Sequence, residues 1–205
     1  MSDKEILAQY IPEAAIDKVL SRIIEKRVHL KITRGRRTKL GDYRPPVRHP
    51  NHRITINHDL NPYAFLITFI HEFAHLLVFE QYKNKVPPHG KEWKTEYRKL
   101  MTEFFGLNVF PPELQKVLEG SIRNAKASTF SELELSRLLN KYDKPDVNGH
   151  IHLEALPSET VFITRNGRKF VKGEKLRKRF KCRNLQNNRI YLFHPLTPVR
   201  VEGKS

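Results

Sequence analysis

From Val28 to Thr33 and again from His52 to Asn57, apolar and polar side chains alternate, the period-two pattern of strands buried on one face. Thr38 to Tyr43 suits a further strand, stopped by Pro45 and Pro46. Before them, residues 12–27 carry apolar positions at helical spacing (Ile16, Leu20, Ile23, Ile24) with Lys18, Arg22 and Lys26 turned outward, the pattern of a helix covering a sheet. The expectation is a small, mostly antiparallel sheet with one amphipathic helix against it.

The pattern then changes. Asn61-Pro62 suits a helix start, with Asn as cap and Pro in the first turn. The segment to about Gln81 is apolar on every side, as in a central buried helix. His71, Glu72 and His75 interrupt it, which argues against a membrane span. Polar groups at such positions are costly unless they coordinate or hydrogen-bond something. Val86 to Gly90 reads as a loop, 91–105 as a helix with Trp93, Tyr97, Leu100 and Met101 on one face, and Pro111 to about Leu118 as a short helix. Residues 121–128 read as a polar link and 129–142 as a last helix with Leu133, Leu135, Leu138 and Leu139 apolar. Residues 143–160 are turn-rich and carry no clear period.

Beyond residue 158 the signals are those of short strands. Val161–Thr164 precedes an Asn166-Gly167 turn, and strand-like runs follow at 180–183, 189–193 and 199–201. The pattern predicts an α+β chain with a principal domain over 1–157 and a small basic β appendage over 158–205. In the appendage Phe162, Phe170, Phe180, Ile190, Tyr191 and Phe193 are the expected core.

Composition sharpens this. Hydrophobic residues make up 39% of the 205, enough for a core. One cysteine, Cys182, allows no intrachain disulfide, and the first fifteen residues lack a signal-peptide core. The expected setting is reducing and cytoplasmic, with no membrane partner and a monomeric chain. The net charge is +16, and it is uneven. Residues 21–53 hold eleven Lys/Arg against two Asp/Glu and residues 158–205 hold thirteen against three, whereas 54–157 hold twelve against thirteen. Two basic regions bracket a neutral segment, a distribution that favours a polyanion. Arg34, Arg36, Arg37, Lys39 and Arg44 form one candidate phosphate-binding set. Lys172, Lys175, Arg177, Lys178, Arg179, Lys181, Arg183 and Arg189 form the other. No base-reading motif is present, so the expected partner is DNA bound without sequence preference, with RNA open.

The chemistry lies in His71-Glu72-Phe73-Ala74-His75. Two histidines four apart share a helix face and can hold one Zn2+, and the Glu beside the first is placed as general base toward the attacking water. A catalytic zinc takes three protein ligands. His89, in a Pro-Pro-His-Gly loop, is the leading third, with Glu92 and Glu96 as competitors or as groups orienting an imidazole. Tyr43, Tyr97 and Arg98 are candidates for stabilising charge in the transition state. One catalytic ion per chain is expected. The chemistry implied is zinc-dependent hydrolysis of a protein or peptide substrate. The alternative is a nucleic-acid-binding or scaffold protein that retains a zinc site with little turnover.

The spacing His71-Glu72-x-x-His75 with His89-Gly90-x-x-Trp93, together with Thr38–Tyr43 and Ile54–Asn57 upstream, resembles the SprT-like metalloprotease family, which includes the eukaryotic Spartan protease. The resemblance covers roughly residues 10–110. It implies a zincin-like metalloprotease core with a small antiparallel sheet and a central H-E-x-x-H helix, zinc on the three histidines, and Glu72 as catalytic base. It also implies action on proteins crosslinked to or associated with DNA. Many members carry a C-terminal zinc ribbon with paired cysteines; with Cys182 alone, that ribbon cannot form here, and the appendage reads as a ribbon-like β unit without metal.

Overall fold

The computed structural model describes residues 2–36, 38–47, 50–123, 133–143 and 149–201. The chain divides into two compact units, Met1–Asp143 and Lys144–Ser205. Expected structure at Arg37, 124–132 and 144–148 lies outside the described residues.

The first unit opens with α1 (Asp3–Leu7), capped by Ser2 in a reciprocal box with Glu5. A 3-10 turn at Glu13–Ala15 leads into α2 (Ile16–Glu25). Its buried positions are Ile16 and Val19, with Leu20 and Ile23 packed alongside. Ile24, expected on that stripe, is 67% exposed: the face running through 16, 19, 20 and 23 leaves the next residue pointing away from the sheet. Arg22 reaches across to both carboxylate oxygens of Glu103, at 3.0 and 2.8 Å.

Three strands follow, β1 (Val28–Thr33), β2 (Gly41–Arg44) and β3 (His52–Asn57), in the spatial order β1-β3-β2. The sheet is mixed where an antiparallel one was expected. β3 pairs antiparallel with β2 but parallel with β1, because the chain runs out to the far edge at β2 and returns through the middle. Side-chain alternation fixes which face is buried and is silent on strand direction, so the pattern could not show this. β3 is buried along its last four residues, including the polar Thr55 and Asn57. Arg36 satisfies both: Nε donates to Asn57 Oδ1 at 2.8 Å, Nη1 to Thr55 Oγ1 at 3.0 Å and Nη2 to the Thr55 carbonyl at 3.3 Å.

α3 (Pro62–Tyr82) packs across β2 and β3. Asn61 caps it, accepting the Ala64 N–H at 2.9 Å, while its amide donates to the Leu139 carbonyl and to Asp143. α3 ends at Lys83, whose φ of 56° breaks the helix. By length and composition α3 could cross a membrane, but in the folded unit two-thirds of that window (67%) is buried. Phe65, Phe69 and Phe73, at most 1% exposed, each contribute roughly 1.5–3 kcal/mol of burial. On α4 (Lys91–Phe105), Trp93, Tyr97, Leu100, Met101 and Phe104 form one buried stripe. α5 (Pro112–Arg123) and α6 (Leu133–Asn140) close the unit.

The second unit is a six-stranded antiparallel sheet of β4 (Ile151–His152), β5 (Val161–Thr164), β6 (Lys169–Lys175), β7 (Phe180–Asn184), β8 (Ile190–Phe193) and β9 (Pro198–Val201). The spatial order is β4-β9-β5-β6-β7-β8. The β5–β6 hairpin turns through residues 165–167, closed by the Thr164 N–H on the Arg168 carbonyl at 3.0 Å, with Gly167 at φ 78°. Its core is Leu153, Leu156, Phe162, Phe170, Phe180, Cys182 and Val199, with Tyr191 and Phe193 against it. Ile190, expected in this core, is 57% exposed because its register opposite Arg183 places it on the outer face. The thiol of Cys182 is fully buried and behaves as a small apolar group.

Candidate active site

His71, Glu72 and His75 sit near the middle of α3, Glu72 buried and the two histidines half-buried. His89 arrives from the α3–α4 loop. Pro87 and Pro88 restrict its approach, and the Gly90 N–H bonds back to the Pro87 carbonyl at 3.1 Å. His89 itself takes the left-handed backbone, at φ 60°, a conformation that L side chains hold only when the surroundings enforce it. Gly90, at φ −66°, is the N-cap residue of α4.

The three imidazoles meet through the same ring atom. Nε2 of His75 lies 3.3 Å from Nε2 of His71 and 2.9 Å from that of His89, and His71 and His89 are 3.1 Å apart. Nitrogens around one tetrahedral zinc sit about 3.4 Å from one another, given a Zn–N length of about 2.1 Å. The trio is therefore a metal-ligand set, and it is the one such cluster found among the described residues. Burial, reinforced by the neighbouring imidazoles, drives the pKa of His71 down to about 3 and that of His75 to about 4; burial alone lowers His89. All three are neutral near pH 7, the state in which an imidazole donates its lone pair to a metal. Donor type, number and convergence fit zinc.

Trp93 forms the floor of this site. Its ring centre is 4.6 Å from that of His71, 5.4 Å from His75 and 4.8 Å from His89, and its indole N–H donates to the His71 carbonyl at 3.4 Å. Tyr97 stacks beneath it at 4.8 Å and 10°. Tyr97 is thus 5% exposed, with its ring centre 6.1 Å from that of His71.

Glu72 is buried against β2. Burial raises its carboxyl to about 7, Asp42 adds to that, and a hydrogen bond from the Tyr43 N–H, with Lys39 and Arg36, pulls the other way. Such a carboxylate is a far better proton acceptor near neutrality than an exposed one. Gly41 makes the approach possible: a Cβ there would lie 2.6 Å from Thr68 Cγ2 and 2.8 Å from Glu72 Oε1.

The remaining expected residues fall elsewhere. Glu92 is in the first turn of α4, where a carboxylate suits the helix dipole, and Glu96 pairs with Lys99 at 2.8 Å; neither belongs to the histidine cluster. Arg98 donates to the Ile122 carbonyl. Tyr43 faces a cleft beside His75 and His89, its hydroxyl 2.9 Å from His52 Nδ1. Behind His52 stand Glu80, 3.7 Å from Nε2, and Lys26, 2.8 Å from Glu80. Nothing in the sequence pointed to this His52–Glu80–Lys26 chain, which joins three distant segments. Trp93 stood in the sequence both as a core residue of the 91–105 helix and in the His89-Gly90-x-x-Trp93 spacing, but its contact with all three imidazoles was not foreseen.

Of the basic residues, Arg34, Lys39 and Arg44 are exposed, the last two paired with Asp42. Arg36 is committed to β3. In the second unit Lys175, Arg177, Lys178, Arg179, Arg183 and Arg189 are exposed and Lys181 is half-buried. Lys172 is the exception, 3% exposed, with its ammonium donating to the Glu154 and Leu156 carbonyls and lying 4.3 Å above the Phe180 ring.

A buried helix carrying His-Glu-x-x-His, a third histidine turned back onto it and a small sheet along its flank define a zincin-like metalloprotease. The model of the SprT-like family matches residues 11–113, half of the chain, and the chain belongs to that family. No curated protein and no solved structure matches it.

Proposed function

We propose that this protein is a zinc-dependent endopeptidase, with one catalytic ion per chain, acting on proteins associated with or crosslinked to DNA. The observation that carries the catalytic part is the convergence of three Nε2 atoms within 3.3 Å on the helix that also bears Glu72. Zinc held by His71, His75 and His89 supplies a Lewis acid for the scissile carbonyl and makes the attacking water more acidic. Glu72 takes the proton from that water and returns it to the leaving amide nitrogen. The Tyr43 N–H orients the Glu72 carboxylate, and Trp93 fixes the imidazoles from below. β2 is an edge strand, and its open side suits alignment of an extended peptide, favouring unfolded segments.

The net charge of +16 supports the DNA part, as do the exposed cations of the β6–β7 turn and of β7. The test is cleavage of a DNA-crosslinked protein by the zinc-loaded wild type and by Glu72→Gln, with and without DNA. Cleavage that DNA stimulates and the substitution abolishes is expected. DNA-independent cleavage removes the DNA assignment and keeps the peptidase. Zinc and DNA binding without cleavage favours a scaffold. Affinity for DNA should also fall steeply between about 50 and 200 mM salt.

A further inference from the structure

Next to the histidines is a cleft of about 170 Å³. His75, His89 and Trp93 are among its lining, and Tyr43, Val78, Phe79, Val86 and Pro87 supply apolar walls. An apolar cavity of about 150 Å³ takes up a benzene-sized molecule, so this one has room for a leucine or phenylalanine side chain. The Tyr43 wall is fixed in advance. Tyr43 is anchored through its hydroxyl to His52, with Glu80 and Lys26 behind, and its ring lies 6.3 Å from that of Phe79. A preformed pocket spends little of its binding energy on ordering. The Lys83 ammonium lies 5.0 Å from the centre of the Phe79 ring at the rim and sets a positive charge against any cation entering.

We infer that this cleft is the subsite receiving one uncharged, apolar side chain of the substrate beside the bond that is cut. The inference rests on the peptidase reading of the histidine site, because the cleft shares His75 and His89 with it. It assigns the selection of residue type to Phe79, Val86 and Tyr43, and rejection of Lys and Arg side chains to Lys83. None of these residues is a metal ligand or the catalytic base.

Trp93 is the single tryptophan of the chain and lines the cleft, so its fluorescence reports occupancy without turnover. Zinc-loaded full-length protein is titrated with glycine, leucine, phenylalanine and lysine hydroxamates, whose shared head group binds the metal. Leucine and phenylalanine hydroxamates should bind at least about tenfold tighter than the glycine compound, the order of selectivity an apolar pocket gives. The lysine compound should bind no tighter than glycine. Val86→Phe, at a half-buried loop position, should fill the cleft and erase the leucine preference while leaving glycine hydroxamate affinity within about twofold. Phe79→Ala should reduce the preference independently. Equal affinities across the series, a preference untouched by both substitutions, or no hydroxamate binding by zinc-loaded protein would overturn the subsite. Wild-type protein that shows the preference and cuts no polypeptide would instead count against the peptidase reading alone.

Discussion

Both units bury strongly polar side chains against complementary partners, and the first also buries a set arranged in the opposite way. In the second unit the Lys172 ammonium is received by two main-chain carbonyls and an aromatic face, and the Asn184 side chain accepts the N–H groups of Gln186 and Asn187. Each group meets its complement, as a structural polar residue should. In the first unit three imidazoles are aimed at one another, like against like, and Glu72 is pressed between a helix and a strand with its carboxyl pushed up to about 7. Complementary partners mark polar groups that serve the fold. Convergent groups of one kind, held by a left-handed backbone at His89, mark groups that serve a ligand.

That contrast is broken most directly at the ligands. His75→Ala should abolish stoichiometric zinc binding and lower kcat/KM by at least about 10³-fold, yet leave the metal-free protein folded, since the imidazole is not completing a protein network. Metal analysis and circular dichroism of the same sample check this. If the metal-free variant were unfolded, His75 would belong with the structural polar groups.

Arg36 and Lys172 sharpen the other side. Arg36→Ala leaves Thr55 and Asn57 buried without their guanidinium, which should cost about 2–3 kcal/mol in the first unit. Lys172→Met keeps the stem but strips the Glu154 and Leu156 carbonyls of their donor, costing about 1–3 kcal/mol in the second. Trp93 belongs to the first unit, so its fluorescence separates the two during urea unfolding. Arg36→Ala should shift the Trp93 transition to lower urea. Lys172→Met should leave that transition in place and shift only the circular dichroism of the β signal. Equal shifts by both probes would mean the units unfold as one.

These same residues show how far the sequence could be read. The strands at 28–33 and 52–57, the helix from Pro62 and the helix over 91–105 were all visible, because in each the period of burial matches the element and a cap or proline marks an end. The ligand trio was legible because two members lie one helical turn apart and the third in a constrained loop. What was hidden depends on contacts between distant segments. The parallel β1–β3 pairing, Arg36 turned from the surface set into β3, and Lys172 turned inward from a run of otherwise exposed cations leave no local trace. Lys172 alternates with its neighbours as β6 does, but an alternation that places lysine inside reads as an error until the carbonyls of Glu154 and Leu156 are known. The helix α1 was passed over because five residues are too few to show a period.

The pH dependence of stability is the prediction most specific to the site. In metal-free protein the folded Glu72 carboxyl titrates near 7, against an ordinary value of 4.5. Between those values the folded state holds a proton that the unfolded chain has released, so this group's contribution falls as pH rises from about 4.5 through 7. His71 and His75, lowered to about 3 and about 4, act with the opposite sign: their contribution is present above 6.5 and is lost as pH falls toward those values. Glu72→Gln removes the first dependence and keeps the second. Metal-free Glu72→Gln should therefore gain thermal stability over metal-free wild type at pH 8, with the gain shrinking to nothing by about pH 4.5. Parallel melting curves across that range would show that the fold does not strain this carboxylate. A divalent cation opposes the Glu72 shift, since it favours an ionised carboxylate, and reinforces the neutral state of the imidazoles. Zinc should accordingly narrow the pH 8 difference between the two proteins, joining the cost of burying these groups to the ligand they are arranged to bind.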